Sequence, residues 1–170
     1  MNTILLPVFI AVLASRIWDT EHKGNTFKLL YTLQQRSSIY FAKSILGILF
    51  MLLISIGEFI IILLISNIYG FTQALPVKHT IIFCITTFLT NALLYFIQEI
   101  LSCLFENQMV ALSIGLIGSF LGLFGCFFAR SAQQYIIWSY YSVLQTIGMN
   151  WDEVTREISY FEASLSLSHI

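Results

Sequence analysis

The stretch Ile45–Ile68, ILGILFMLLISIGEFIIILLISNI, carries one charge, Glu58, in an otherwise apolar run. An α-helix rises about 1.5 Å per residue, so a segment of this length crosses the ~30 Å hydrocarbon core of a bilayer with some tilt. Three further windows of the same kind flank it. One covers residues 2–18; a second covers 80–104 and is interrupted by Asn91, Gln98 and Glu99; a third, 109–128, has no charge. The whole chain of 170 residues is 58% apolar and 10% charged, with a mean hydropathy of +0.83. A soluble domain carries about 25% charged residues and cannot bury this much apolar surface in one core. The expected fold is therefore an all-α membrane protein, a polytopic helical bundle of about four transmembrane helices with an additional interfacial helix, in a single membrane domain over 1–170.

The interfacial element is expected at 133–148, where Tyr135, Trp138, Tyr140 and Tyr141 mix with Ile136, Ile137, Val143 and Leu144. Trp and Tyr favour the membrane–water boundary, and the stretch is too polar for a comfortable span, which points to an interfacial or re-entrant helix. The tail, 150–170, contains Asp152, Glu153, Arg156, Glu157 and Glu162 and reads as a short helix followed by a Ser-rich end.

The net charge is −1, which provides no basic footprint for nucleic acid. Cys84, Cys103 and Cys126 lie in apolar runs without CxxC spacing, and His22, His79 and His169 are scattered, so no metal site is expected. No HExxH, GxSxG or GxxxxGK[ST] motif and no pair of intramembrane Asp occurs, so no catalytic residue and no phosphate loop is assigned.

Five of the eight Lys and Arg residues, Arg16, Lys23, Lys28, Arg36 and Lys43, fall in the connection 16–43. Positive residues accumulate on the cytoplasmic side, so this loop faces the cytoplasm and the Tyr69–His79 loop faces outward. It is long for a connector. Within it Gly24 makes a turn, and Asn25 or Thr26 can cap a short helix carrying Phe27, Lys28, Leu29, Leu30 and Tyr31. Such a helix is either a lever for a soluble partner or an interfacial anchor dipping into headgroups.

The residues Glu21, Gly24, Thr26, Leu30, Arg36, Tyr40 and Lys43, in the run WDTEHKGNTFKLLYTLQQRSSIYFAK, resemble the first cytoplasmic loop of ABC-2 type exporter permeases. The likeness is greatest to the permeases of lantibiotic self-immunity transporters and the bacitracin-type permeases. The chain departs from the pattern by placing Asn25 between Gly24 and Thr26. Asn107-Gln108 and the Gly-rich helix after it are similar to the family as well. The resemblance covers roughly Leu5–Trp138.

That resemblance implies a coupling helix docking into an ATP-hydrolysing partner, with Glu21, Gly24, Thr26, Lys28 and Leu30 at the contact and Arg36, Tyr40 and Lys43 at the loop-to-helix junction. It implies no cofactor on this chain, ATP on the partner subunit, a second permease subunit of the same or another kind, a peptide cargo expelled from the lipid bilayer, and a bacterial cytoplasmic membrane. Family members usually have six spans, so the chain looks truncated at both ends.

Three features inside the membrane segments bear on transport. Glu58 marks a translocation or gating position, or is a protonated side chain bonded through Ser55 or a backbone carbonyl. Glu99, near the inner end of its span, can snorkel to the interface or pair with a loop. Gly115, Gly118, Gly122 and Gly125, at spacings of 3, 4 and 3, share one helix face suited to close packing, against segment 45–68 or 80–104 or against another subunit. A self-contained transporter that uses Glu58 as a proton-coupled site is the alternative to the ATPase-driven permease.

Overall fold

A computed structural model describes residues 2–23, 35–68, 77–125, 127–128, 133, 135–144, 147–151 and 158–162. Four helices are long and apolar enough to cross a membrane: α1 (Asn2–Lys23), α2 (Arg36–Ile68), α3 (Val77–Leu104) and α4 (Gln108–Gly125). They form the expected all-α polytopic bundle. Hydrocarbon has no water to solvate a bare N–H or C=O, so each segment satisfies its backbone internally as helix.

The helix bounds correct the sequence reading at the connection between the first two spans. Residues 16–23 belong to α1 and residues 36–43 to α2, so much of the expected loop 16–43 is helical. Apolar windows miss these turns because the turns are polar. They stay helical because neighbouring helices satisfy them. With 33 residues, α2 extends about 50 Å, well beyond a ~30 Å hydrocarbon core, and part of it must project from the membrane. At the other end of the bundle, α4 stops at Gly125 instead of 128, and the chain tightens through Phe127 N–H to the Phe124 carbonyl and Phe128 N–H to the Gly125 carbonyl, both 3.0 Å.

α1 sits centrally, packed on α3 and α4, while α2 packs mainly on α3. Leu6, Ile10 and Ala14 of α1 meet Met51 of α2, Leu94 and Tyr95 of α3, and Tyr141 in one buried cluster. The outer surface of α2 is left apolar through Leu49, Leu53, Ile61 and Leu64, the low-energy surface against lipid tails. Without a hydrophobic drive between helices, association depends on close contact at small residues. Gly47 of α2 lies against the Tyr95 ring, and a Cβ there would sit 1.8 Å from Tyr95 Cζ.

The four glycines of α4 are all buried. Gly115 faces Ala11 of α1 and Gln98 of α3, Gly118 and Gly122 face Trp138, and Gly125 faces Ser139. The neighbours of this row are thus contributed by the same chain, chiefly by α1 and by the segment after α4.

That segment is less regular than the expected helix over 133–148. A 3-10 turn, Ile137–Ser139, leads into one helical turn, α5 (Tyr140–Val143). Ser139 Oγ donates to the Gln133 and Ile136 carbonyls at 2.6 and 2.7 Å, which tightens the turn and seats the Trp138 ring on α4. The tail is likewise corrected. Where a short helix was expected, β1 (Ile147–Trp151) pairs antiparallel with β2 (Ile158–Glu162), Ile147 opposite Glu162 and Trp151 opposite Ile158. Its β-branched and aromatic content suits a strand pair, whereas Asp152 and Glu153 resemble the acidic first turn of a helix.

The two α2 glycines provide a matched test. Gly47→Ala drives a methyl group into a rigid ring and should destabilise the bundle by about 1–3 kcal/mol, as overpacking does. Gly57→Ala places its methyl where nothing lies within 4 Å and should leave stability unchanged or slightly raised. Thermal unfolding of the purified protein in detergent compares the two.

Candidate functional site

The helices alternate in direction, so the C-terminal ends of α1 and α3 and the N-terminal ends of α2 and α4 gather at one end of the bundle. A helix end exposes backbone groups without intrahelical partners, which side chains of neighbouring helices can meet. The polar residues found there do so.

Asn107 Oδ1 accepts from the Met109 N–H at 3.0 Å and caps α4. Buried Gln108 turns back, and its Nε2 donates to the Ser102 and Phe105 carbonyls, both at 2.9 Å, meeting two terminal acceptors of α3. Ser15 Oγ of α1 donates to Gln108 Oε1 at 3.4 Å, and His22 Nε2 lies 3.1 Å from the Ser102 carbonyl. One step deeper, Gln98 Nε2 donates to the Ala111 carbonyl at 2.5 Å and fixes α3 on α4.

The α2 side is tied by two adjacent residues. Lys43 Nζ donates to the Ile17 carbonyl at 2.6 Å and lies 4.1 Å from the centroid of the Trp18 ring, a cation–π arrangement. Trp18 itself is buried and packs on Tyr40, with ring centroids 6.2 Å apart. Tyr95 Oη donates to the Lys43 carbonyl at 3.1 Å. Ser44 Oγ donates to Glu99 Oε2 at 2.8 Å. Glu99 is 0% exposed, so it does not take the expected path to the interface, and its Oε1 accepts no hydrogen bond among the described residues.

Tyr40 and Lys43 thus stand within α2 and pack on α1, while Arg36 is the first residue of α2. Glu21 lies in the last turn of α1; the side chains of Glu21 and Arg36, together with Gly24, Thr26, Lys28 and Leu30, lie outside the described residues. Glu58 is half-buried on α2, remote from this junction, and the expected bond through Ser55 is not made, since Ser55 Oγ has no partner among the described residues.

At the opposite end a cavity of about 250 Å³ opens between the start of α1, the N-terminal half of α3 and α5, lined by Thr3, Thr86, Thr87, Thr90 and Tyr141 among others. Thr86 and Thr90 commit their hydroxyl protons to carbonyls of their own helix. Tyr141 donates to Asn91 Oδ1, and burial, with a smaller contribution from the Glu58 charge, pushes its hydroxyl above the ordinary phenol range.

Sequence reading singled out Lys43 and Glu99 but missed Ser15, Trp18, Ser44, Tyr95 and Ser102. Single hydroxyls and aromatics in apolar runs carry no motif. The one available signal was the clustering of polar residues toward the same end of consecutive spans.

Four antiparallel spans tied at one end define a polytopic membrane protein. The model of the ABC-2 family transporter protein matches residues 1–122, and the chain belongs to this family. The match covers α1 to α3 and most of α4 and ends before Trp138, where the sequence resemblance was expected to reach. Members of the family are membrane subunits that normally work with an ABC ATPase and are not themselves catalytic. No curated protein and no solved structure matches the chain.

Gln108 and His22 share the Ser102 carbonyl unequally, which makes the junction testable. Gln108→Leu removes the donor to two α3 carbonyls and should cost about 1–3 kcal/mol, the penalty for leaving buried polar groups unmet. His22→Ala should cost less, because Gln108 still meets Ser102. Thermal unfolding of both variants in the same detergent gives the order.

Proposed function

We propose that this chain is the membrane-spanning permease subunit of an ABC exporter, driven by a separate ATPase subunit that docks on the segment between α1 and α2. The observation that carries the reading is the junction at the base of that segment. Its two flanking helices are tied to each other through Lys43 and Ile17, and to α3 and α4 through Glu99, His22, Ser15 and Gln108. A push on the segment is then transmitted to every span at once, which is what closing two ATPase subunits must accomplish to switch a bundle between inward- and outward-facing states. Glu21, Gly24, Thr26, Lys28 and Leu30 make the ATPase contact, with Arg36, Tyr40 and Lys43 at the transition to α2. ATP is held by the partner, and this chain carries no cofactor.

A second permease subunit completes the translocation path, and the lipid-facing surface of α2 remains in the bilayer of a bacterial cytoplasmic membrane. The cargo is an amphipathic, cationic antimicrobial peptide taken from the membrane and expelled, as the likeness to lantibiotic self-immunity permeases suggests. In this reading Glu58 is not the energy-coupling site.

Purification in mild detergent from cells expressing the chain with its neighbouring genes should bring down an ATPase subunit, and Glu21→Lys should abolish its recovery. Glu58→Gln should retain it and retain export. Loss of transport in Glu58→Gln, with transport intact after deletion of residues 21–33, would establish the self-contained transporter instead.

A further inference from the structure

Beyond docking, the junction contains an unfinished ion pair. Glu99 is fully buried, Ser44 meets one of its oxygens at 2.8 Å, and the other accepts nothing among the described residues. A carboxylate in such a place is costly unless a counter-charge and hydrogen bonds complete it. The cation within electrostatic reach is Lys43, the chain neighbour of Ser44. Its ammonium is engaged elsewhere, on the Ile17 carbonyl and over the Trp18 ring.

Two features make this arrangement suited to exchange. Lysine is a point charge on a flexible four-carbon stem, able to reach either side from one backbone position. The Lys43 backbone, by contrast, is held: its carbonyl accepts from Tyr95, and Gly47 one turn on admits the Tyr95 ring against α2. The α2–α3 contact is therefore fixed, whereas the α1–α2 tie at this point runs through the Lys43 side chain and the Trp18–Tyr40 ring contact. α1 and α2 otherwise touch little.

We propose that Lys43 is a two-position clasp, holding α1 through Ile17 in the state seen here and swinging to the open oxygen of Glu99 when the ATPase subunit displaces the segment between α1 and α2. This rests on the permease reading. In the second position the ion pair offsets the lost contacts of Lys43 with Ile17 and Trp18, and the tie of α1 to α2 is reduced to the Trp18–Tyr40 contact while α2 and α3 stay together. The clasp thus makes the two states of the bundle discrete, with Glu99 acting as a positioning residue through Lys43.

The test uses the assembled complex in lipid nanodiscs, with ATP as the only added ligand, and three variants: Glu99→Gln, Lys43→Met and the double substitution. Glu99→Gln preserves volume and an acceptor for Ser44 and removes only the second position. It should leave thermal stability and recovery of the ATPase unchanged while lowering kcat for ATP hydrolysis at least about fivefold, the lower end of typical coupling effects, at unaltered KM for ATP. Lys43→Met removes both positions and should lower thermal stability as well as kcat. The double variant should turn over no more slowly than the slower single one, since the two residues act as a unit.

Wild-type turnover in Glu99→Gln overturns the clasp, as do losses that multiply in the double variant. Failure of Glu99→Gln to assemble overturns it too, because a residue required only in the second state leaves the first intact. Absence of any ATPase with the wild-type chain overturns the permease reading itself, a result distinguishable from all of these.

Discussion

Polar groups gathered at one end of this bundle are met by side chains from other spans, and the rest of the structure follows from how they are met. Two helix C-termini and two N-termini converge there, and Asn107, Gln108, His22, Lys43 and Ser44 supply partners to three backbone carbonyls, one amide and one carboxylate. Hydrogen bonds of this kind contribute little net energy in water, but leaving them unmade inside a bilayer is expensive, so the junction specifies one arrangement of the four spans.

Packing higher in the bundle follows the same economy of space. Lipid tails attract a leucine as well as another helix does, so the helices approach only where a small residue admits a large one. Tyr95 fits against Gly47, and Trp138 against Gly118 and Gly122. The second of these contacts gives the irregular stretch after α4 a fixed seat. It also brings Tyr141 to Asn91, so the cavity and the polar junction are built on opposite ends of one helix, α3.

The membrane fold was legible because hydrocarbon solvation acts on every residue of a span, and a window of 18 apolar residues needs no knowledge of its neighbours. Polar turns at the ends of spans were not legible for the converse reason. Ser15–Lys23 and Arg36–Ser44 are bonded to each other through Lys43 and Ile17 and to the distant residues Glu99, Ser102 and Gln108, contacts that a local window does not register. The strand pair Ile147–Trp151 and Ile158–Glu162 was misread because Asp152 and Glu153 in the sequence imitate a helix start, while strand character depends on pairing between residues several positions apart. Glu99 was legible as a polar residue in a span, but its burial was not. Its distance from the apparent membrane edge suggested an escape to the interface, which packing with Ser44 of α2 forecloses.

The sequence by itself determined that the chain spans a bilayer, where its spans lie, that the connection 16–43 carries most of its positive charge, and which family motif that connection holds. These are properties of composition and short-range order. Only the tertiary structure decided which partners the polar residues take, that the glycine face of α4 receives α1 and Trp138, and that Lys43 grips α1 while one oxygen of Glu99 meets no donor among the described residues. Such pairings join residues separated by tens of positions, and their energies depend on the burial and direction of side chains, which no periodicity along the chain encodes.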